Sequence, residues 1–425
     1  MQELSKSKSA RRYSWERLGG DCAGGMIAAL IALPYGLAMA ALMGLPPILG
    51  VFTSILTTPI TALLGRNVLL IGGTASATVP FIAAAVRAQG IGGAAKVSIV
   101  ASAFLMCFCI MKLGRFVSYV PAAVVSGFSA GIGALMVISQ MHVLLGVHAP
   151  SDAVPVLQLA FVLREAPLMH WLPFVLGGIV IAASFVSLRI SPRLPAPLIG
   201  VAAASLAAWL LRARVPEIGS LHLALPPFAA FAWMPYDVMN LIPSGFMLAF
   251  VSAVNLLLTS RTIEHFQGRH KPLRRADSDA ELGAFGIANL VAGIFGAPMS
   301  VGIPARSVAA IRCGATTRLS NLFHAVFLLL LVCLGSGALA HVPLAALAGV
   351  TIFMGISLLN VGAWRRLGKM HVLDAAAFLI TVVGVLATNA VAAVIAGSAL
   401  HALQFVYRKY FGQQTQASRV PEVVS

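Results

Sequence analysis

Residues 296–307 could bind an anion, because they combine a break in helical backbone with a positive charge inside an apolar region. Two glycines and two prolines interrupt this stretch before Arg306. Lipid offers no partner to free amide and carbonyl groups, so such a break must lie within protein or line a wet cavity. Pro304 suits the first turn of a helix, whose free N–H groups and dipole attract anions. The stretch therefore predicts a binding site.

A second stretch, in the first half of the chain, has the same character. Residues 70–78 read LIGGTASAT and precede the short apolar run 79–87, as the break at 296–303 precedes the run 304–312. Paired interrupted segments in the two halves of a hydrophobic chain are typical of an inverted-repeat transporter, whose site lies between two half-helices. The starts of the two short runs are therefore predicted to face one site.

The composition indicates what must position this site. The 425 residues are 59% hydrophobic and only 10% charged, with a mean hydropathy of +0.92. A soluble domain is about one quarter charged, so we predict a polytopic membrane protein. The basic leader has no small-residue cleavage site and is expected to remain as a cytoplasmic tail. The five cysteines show neither metal-ligand spacing nor a disulfide framework, and we predict no metal and no cofactor.

Hydropathy predicts an all-α polytopic membrane fold with fourteen spans. The third and tenth are too short to cross the hydrocarbon core and are interpreted as half-helices preceded by extended chain. The first span is expected to be broken at Pro34. The predicted spans are 22–43, 46–64, 74–87, 94–111, 121–145, 172–188, 196–211, 244–260, 282–295, 304–312, 320–340, 344–360, 373–387 and 391–407.

The basic residues predict the orientation of these spans. With the N-terminus inside, 23 of the 29 Lys and Arg residues fall in cytoplasmic segments. This asymmetry is that of the positive-inside rule for an inner-membrane protein with both termini cytoplasmic. The basic cluster 269–275 could also contact nucleic acid, but a loop between two spans accounts for it. We therefore expect no nucleic-acid partner.

An ordered series of motifs resembles the SulP family of inorganic anion transporters, whose animal branch includes prestin. Each motif is weak by itself, but their order and spacing over about residues 21–405 are specific. The motifs are LPYGLA at 33–38, MGLPP at 43–47, VSGFSAG at 125–131, ISQMH at 138–142, GAFGIAN at 283–289, GIPARS at 302–307, GATTRLS at 314–320 and HVPLAAL at 341–347.

The resemblance implies seven-plus-seven inverted repeats and a transporter domain over 21–407 that forms a homodimer. Its core would comprise about 21–120 and 244–342, and its gate about 121–243 and 343–407. The short tails would be 1–20 and 408–425. Most members carry a cytoplasmic STAS domain after the last span, but only about 18 residues follow Tyr407 here, so that domain is expected to be absent.

Three departures from the family pattern bear on mechanism. Asn255, four residues before Thr259, stands where sodium-coupled members resemble Asp-x-x-x-Thr and others often have Glu. Because no acidic residue falls in the middle of a predicted span, cation coupling through a buried carboxylate is not expected. Ala305 replaces a frequent Ser before Arg306, which removes a hydroxyl ligand. Gly73 stands where Pro is common.

The candidate substrate-binding residues combine both arguments. Backbone N–H groups near 75–78 and 304–307 are predicted to hold the anion, and Arg306 to supply positive potential. An arginine at a helix centre costs about 2.5–3.5 kcal/mol on insertion, which favours a functional role. The candidates are Tyr35, Ala75, Ser76, Ala77, Thr78, Asn255, Thr259, Ser300, Ile303, Pro304, Ala305, Arg306 and Ser307.

Structural alternatives stay open for several polar candidates. Tyr35 could be a packing aromatic instead of a pocket wall, and the Asn255–Thr259 pair also suits an interhelical hydrogen bond. Hydroxyl groups at the two breaks could simply satisfy backbone groups at helix starts. The histidines show no ligand spacing and are interpreted as packing or interface residues, namely His142, His324, His341 and His401.

The function best supported by the sequence is secondary transport of a small inorganic anion of the sulfate, bicarbonate or chloride class. An anion channel or a voltage-driven motor would use the same architecture. A nucleobase transporter of the same fold would need carboxylates in its core, and an enzyme would need a nucleophile–base pair or metal cluster. The predicted partners are the anion, membrane lipid and a second copy of the chain. Neither the anion nor the coupling mode is determined.

Overall fold

The computed structural model describes residues 15–114, 122–147, 155–191, 194–219, 235–266, 275–359, 361–387 and 392–400. Within them the chain is mostly helical, with one sheet of two short strands. The predicted C-terminal tail, residues 1–14 of the N-terminal tail and His401 lie outside the described residues.

The helices of the first half are α1 (Trp15–Leu42), α2 (Pro47–Leu64), α3 (Val79–Gln89), α4 (Ile91–Ile110), α5 (Ala122–Leu145), α6 (Pro155–Glu165), α7 (Trp171–Ile190) and α8 (Ala196–Leu210). The second half contains α9 (Pro235–Phe266), α10 (Arg275–Ile294), α11 (Pro304–Arg312), α12 (Leu319–Ala340), α13 (Leu344–Leu358), α14 (Val361–Arg366) and α15 (Val372–Ala387), and a further helical stretch at 392–400. The strands are β1 (Gly72–Thr74) and β2 (Ser300–Gly302).

Eight helices of the described part are long and apolar enough to cross a membrane, in agreement with the predicted polytopic class. The structure adds two short helices, α6 and α14, that the predicted spans do not include. The expected break at Pro34 is wrong, since α1 runs without interruption for 28 residues. Neighbouring helices allow a membrane helix to tolerate a proline, and Gly36 packs here directly against the backbone of Gly50 on α2.

The packing of α12 shows where polar and apolar side chains go. Ser320 and His324 are fully buried, whereas Leu330 is exposed and Leu334 is 84% exposed. A helix with polar groups inward and leucines outward suits a protein whose outer surface meets lipid and whose interior holds its polar groups.

Proline and glycine set the ends of the helices around the strands. Pro304 opens α11, and Pro80 lies in the first turn of α3. Both positions suit proline, because the first helical N–H groups have no partner within the helix. After α10, Gly296 takes a positive φ of 74°, and Ala297 donates its N–H to Ala292 O at 2.9 Å. This turn ends the helix and starts the break that precedes β2.

The described residues form two compact units. The larger lies within 1–118, 143–146 and 169–353 and holds both strands, and the smaller lies within 119–142, 147–168 and 354–425. In the smaller unit, Gly127 on α5 lets the helix approach the backbone of Phe378 on α15, which is fully buried. Every candidate binding residue predicted from the sequence belongs to the larger unit.

Candidate functional site

The two interrupted stretches meet as a pair of antiparallel strands. Gly72 lies opposite Gly302, Gly73 opposite Val301 and Thr74 opposite Ser300. Because the strands are antiparallel, the chain leaves them in opposite directions, toward α3 through a 3-10 turn at Ser76–Thr78 and directly toward α11. The strand pairing thus brings together the starts of two short helices that are more than 200 residues apart in sequence.

Polar side chains from neighbouring segments hold the strands in place. Asn289 on α10 donates its amide N–H to Ser300 O at 2.8 Å and accepts the Ser300 N–H at 2.7 Å. Ser307 Oγ accepts the N–H of Ile71 at 2.9 Å and donates to Ile303 O at 3.2 Å. These bonds satisfy backbone groups that helices would otherwise satisfy themselves.

Asn289 helps to position the candidate site but is not among the binding residues predicted from the sequence. It falls within the motif at 283–289, and it is fully buried on an otherwise apolar face of α10. The available signal was a single amide side chain shortly before the break at Gly296, since a buried amide must have partners. The sequence does not identify Ser300 as that partner, because only the fold brings the two residues together.

Arg306 is fully buried, and one of its nitrogens is hydrogen-bonded to protein groups. Its Nη1 donates to Ser54 Oγ at 2.8 Å and to Gly72 O at 3.2 Å. Its Nε and Nη2 make no hydrogen bond within the described part of the chain. Its Cζ lies 5.3 Å from the centroid of the Tyr35 ring, a cation–π distance. The guanidinium is therefore fixed in place and keeps two nitrogens available.

The start of α11 offers free backbone donors beside this guanidinium. Pro304 has no N–H, and Ser307 donates its N–H to Ile303 O at 3.3 Å. The N–H groups of Ala305 and Arg306 form no hydrogen bond to the residues described before them. Pro304 and Ala305 are also exposed, although Arg306 is buried. Free donors, the positive end of the helix dipole and a cation thus coincide.

The start of α3 is partly occupied by the protein itself. Thr78 donates both its N–H and its hydroxyl to Ala75 O, at 3.1 and 2.8 Å. The Ser76 N–H donates to the Tyr35 hydroxyl at 3.2 Å. Ala77 is buried, and its N–H forms no bond to another described segment. Tyr35 therefore touches both halves of the candidate site, through its hydroxyl and through its ring.

The remaining candidates flank this centre. Thr259 donates its hydroxyl to Asn255 Oδ1 at 3.3 Å, so the pair is bonded within α9, which packs against α11, β2 and the 3-10 turn. Ser300 Oγ is buried without a partner among the described residues and lies against Gly72 and Phe285. None of these side chains brings a charge to the site.

Buried carboxylates do occur in the larger unit, at the ends of helices. Asp21 on α1 accepts the N–H groups of Thr316 and Thr317 and is also bonded by the Thr317 hydroxyl. Glu281 Oε2 accepts the N–H groups of Arg66 and Asn67 at 2.7 and 3.1 Å. Glu281 precedes the predicted span 282–295, and burial raises its pKa to about 7 even though these bonds favour the carboxylate. The sequence does not indicate this burial.

The chain is similar in sequence to known membrane proteins. A sequence model of the sulfate permease family matches residues 18–384. The bicarbonate transporter BicA of Picosynechococcus sp. is 28% identical over 375 residues, which are 85% of this chain and 64% of that protein. These similar proteins are transporters and not enzymes, as predicted.

Two solved structures share the fold. The transmembrane domain of a cyanobacterial BicA superposes with a TM-score of 0.79 at 24% identity, over 90% of this chain and 97% of that one. The overall structure of SLC26A9 superposes with a TM-score of 0.83 at 18% identity, over 93% of this chain and 66% of that one. The likeness confirms the predicted multi-pass helical membrane fold.

Proposed function

Because the chain belongs to the sulfate permease family, we propose that it is a secondary transporter of a small inorganic anion across the inner membrane. The observation that carries this proposal is the buried guanidinium of Arg306 beside the free N–H groups that start α11. A buried cation needs a compensating negative charge, and backbone donors at a helix start suit an oxyanion or a halide. The substrate class is sulfate, bicarbonate or chloride.

In this proposal the anion lies between the starts of α3 and α11. These helices act as half-helices in a bundle of fourteen spans, arranged as seven-plus-seven inverted repeats. N–H groups near Ala77, Ala305 and Arg306 bind the anion, and the free nitrogens of Arg306 add charge-assisted donors. The antiparallel strand pair supports this arrangement, because it brings the two helix starts together from opposite halves of the chain.

Transport in this proposal follows movement of a core (about 21–120 and 244–342) against a gate (about 121–243 and 343–407). The pathway opens to each side of the membrane in turn while the anion stays between the two short helices. The protein is proposed to be a homodimer with both termini cytoplasmic. Small residues exposed on the last span, such as Ala396 and Ala399, would let helices of two protomers approach closely.

Uptake by purified protein in proteoliposomes tests the function. Radiolabelled sulfate, bicarbonate and chloride are offered with and without sodium and with and without a pH gradient. Accumulation against a counter-anion gradient is expected for one or more of the three. Flux that only dissipates gradients at channel rates would assign the protein to the channel class. Uptake of a nucleobase without uptake of any of the three anions would overturn the proposal.

Calorimetry with Arg306→Ala tests the site itself. Losing the charge-assisted donors should weaken anion binding by about 10- to 100-fold, since such bonds contribute about 1.5–3 kcal/mol. Arg87→Ala, at the exposed far end of α3, is the matched control and should bind normally. Equal affinity of Arg306→Ala and unmodified protein for every transported anion would remove this site from the proposal.

A further inference from the structure

One titratable group in the interior of the larger unit has no structural partner. His324 on α12 is completely buried, with 0% exposure. Both Nδ1 and Nε2 lack a hydrogen bond within the described part of the chain. Nearly all buried polar atoms are bonded to protein or to water, so an imidazole with two unbonded nitrogens requires an explanation. Packing alone would be served better by a leucine.

His324 ends a row of polar groups along one face of α12. One turn earlier, Ser320 Oγ and Asn321 Oδ1 are also buried without partners among the described residues. Just before α12 begins, Thr317 bonds to the buried Asp21 of α1. Within α12, the spacing of three and four residues places Ser320 and Asn321 on the same face as His324.

Glycines on α1 bring that helix close to this row. A Cβ at Gly24 would lie 3.2 Å from Ser320 Oγ, and one at Gly25 would lie 2.9 Å from the backbone nitrogen of His324. The polar groups of α12 are thus enclosed by protein and not by lipid. A buried cluster of polar atoms without partners among the described residues is a place where buried waters are held.

The charges around His324 are few. Arg306 on α11 is the charged group that acts on the imidazole. The α2 helix, which packs against α12, has no titratable side chain. On α1, Asp21 and Cys22 lie toward the far end of the row and Tyr35 lies at the anion site, with Glu16 and Arg17 in the first turn. With the anion site empty, a proton on His324 would therefore meet the field of Arg306 without a nearby negative charge.

We propose that His324 is a proton-binding site coupled to the anion site, so that one proton crosses the membrane with each anion. The proposal rests on the proposed function. An anion at Arg306 offsets the repulsion between the guanidinium and a protonated imidazole, and coupling between two sites is reciprocal. Anion binding then favours protonation of His324, protonation favours anion binding, and the two ions move together.

The test uses purified protein in proteoliposomes and two measurements with one labelled anion. Sulfate, chloride and bicarbonate are first compared by counterflow at equal pH. Sulfate or chloride, whichever exchanges, is used for the second measurement, because CO2 crosses lipid and would by itself accumulate bicarbonate in an alkaline interior. That second measurement is accumulation driven by an acidic exterior, with the membrane potential clamped at zero. For one proton per anion, a gradient of one pH unit should give about tenfold accumulation, since 1.4 kcal/mol is a factor of ten. A pH dye inside the vesicles records the proton.

The variants separate the proton site from the anion site. His324→Gln keeps the size and hydrogen-bonding capacity of the side chain and should retain counterflow while losing acid-driven accumulation and proton entry. His324→Asn is a second variant should His324→Gln fail to fold. His341→Gln is the matched control, since His341 is exposed and pairs with Glu217 at 2.9 Å, and it should keep full acid-driven accumulation.

Each outcome decides between the two proposals. Counterflow without acid-driven accumulation in the unmodified protein overturns proton coupling and leaves the transport function standing. Acid-driven accumulation that persists in a His324 variant shows that the proton binds elsewhere and overturns the assignment. If none of the three anions shows counterflow, the proposed function is overturned, and the coupling that rests on it is overturned as well.

Discussion

Single residues decide which hydrogen bonds the candidate site already makes within the protein. Arg306 uses one nitrogen to hold Ser54 and Gly72, and it keeps the others available. Tyr35 bonds to the Ser76 N–H, a donor that an anion at the start of α3 would also need. The Tyr35 hydroxyl therefore stands in for an anion oxygen, although as a neutral and weaker ligand.

The first prediction concerns that hydroxyl. Tyr35→Phe keeps the ring over Arg306 but frees the Ser76 N–H, so anion affinity should rise about two- to tenfold, the equivalent of one ordinary hydrogen bond. Calorimetry measures this change. Ser139→Ala, which removes a hydroxyl bonded to Met136 O on α5, is the control and should leave affinity unchanged. Weaker binding by Tyr35→Phe would mean that the hydroxyl is itself a ligand of the anion.

The second prediction concerns Asn255, the neutral residue on α9. Uptake by the unmodified protein should not depend on sodium, because the Asn255–Thr259 pair carries no charge to balance the ion. Asn255→Asp supplies that charge beside an oxygen donor, so uptake should become sodium-dependent. Asn255→Gln, which stays neutral, is the control. Loss of uptake by the unmodified protein when sodium is replaced with choline would contradict the prediction.

At the scale of elements, β1 lies so close to Arg306 and Ser54 that no side chain fits at Gly73. A Cβ at Gly73 would overlap Arg306 Nη1 and Ser54 Oγ. Glycine at this position therefore lets β1 approach the guanidinium, which donates to Gly72 O. The position of β1 and the position of the guanidinium therefore depend on each other.

The third prediction follows from this close approach. Gly73→Ala should displace the guanidinium and lower anion uptake at least tenfold, because a change of about 1 Å in a binding group can cost two orders of magnitude. Gly178→Ala on α7 is the matched control, since nothing lies within 4 Å of its added Cβ. Uptake by Gly73→Ala equal to that of Gly178→Ala would show that the strand can move without affecting the site.

At the scale of the whole molecule, the buried carboxylate of Glu281 links helix ends and makes stability depend on pH. Glu281 is 1% exposed and receives two backbone N–H groups from the segment after α2. Burial raises its pKa from the ordinary 4.5 to about 7, so folding favours the protonated form. Its stabilising contribution is therefore complete below pH 4.5 and is lost as the pH rises through 7.

The fourth prediction is a stability slope in that window. Raising the pH from 5 to 8 should lower the free energy of unfolding through Glu281 by about 2.5 kcal/mol, from the difference between its folded and unfolded pKa values. Thermal unfolding in detergent measures the slope. Glu281→Gln stays neutral and can still accept both N–H groups, so it should lose the Glu281 part of the slope. Identical slopes for the two proteins would contradict the assignment.

The fifth prediction concerns assembly. Both short helices of the site come from one chain, so each protomer of a dimer should carry a complete pathway. A linked pair with one Arg306→Ala protomer should retain about half the flux of the unmodified pair, since one site is removed and the other is intact. Loss of all flux in that pair would show that the sites depend on each other. Cross-linking in native membranes that yields only monomer would remove the dimer.

The sequence by itself determined the class of protein and the place of the two interrupted stretches. Lipid cannot satisfy free backbone groups, so glycines, prolines and an arginine within an apolar chain had to mark the interrupted stretches, and the motif series was enough to indicate the family. These signals are local in sequence, which is why residues 70–78 and 296–307 could be found without a structure. Asn255 and Thr259 were likewise predicted to share a face, and they are bonded within α9.

The tertiary structure decided which groups are paired and which are left unpaired. Asn289 bonds Ser300, Arg306 bonds Ser54 and Glu281 bonds Arg66, and each of these contacts depends on how separate helices pack. His324 was interpreted from the sequence as a packing or interface residue. It is buried, and both ring nitrogens lack a hydrogen-bond partner among the described residues. No local pattern reveals this, because the cost of burying a polar group depends on the partners that the rest of the chain brings to it.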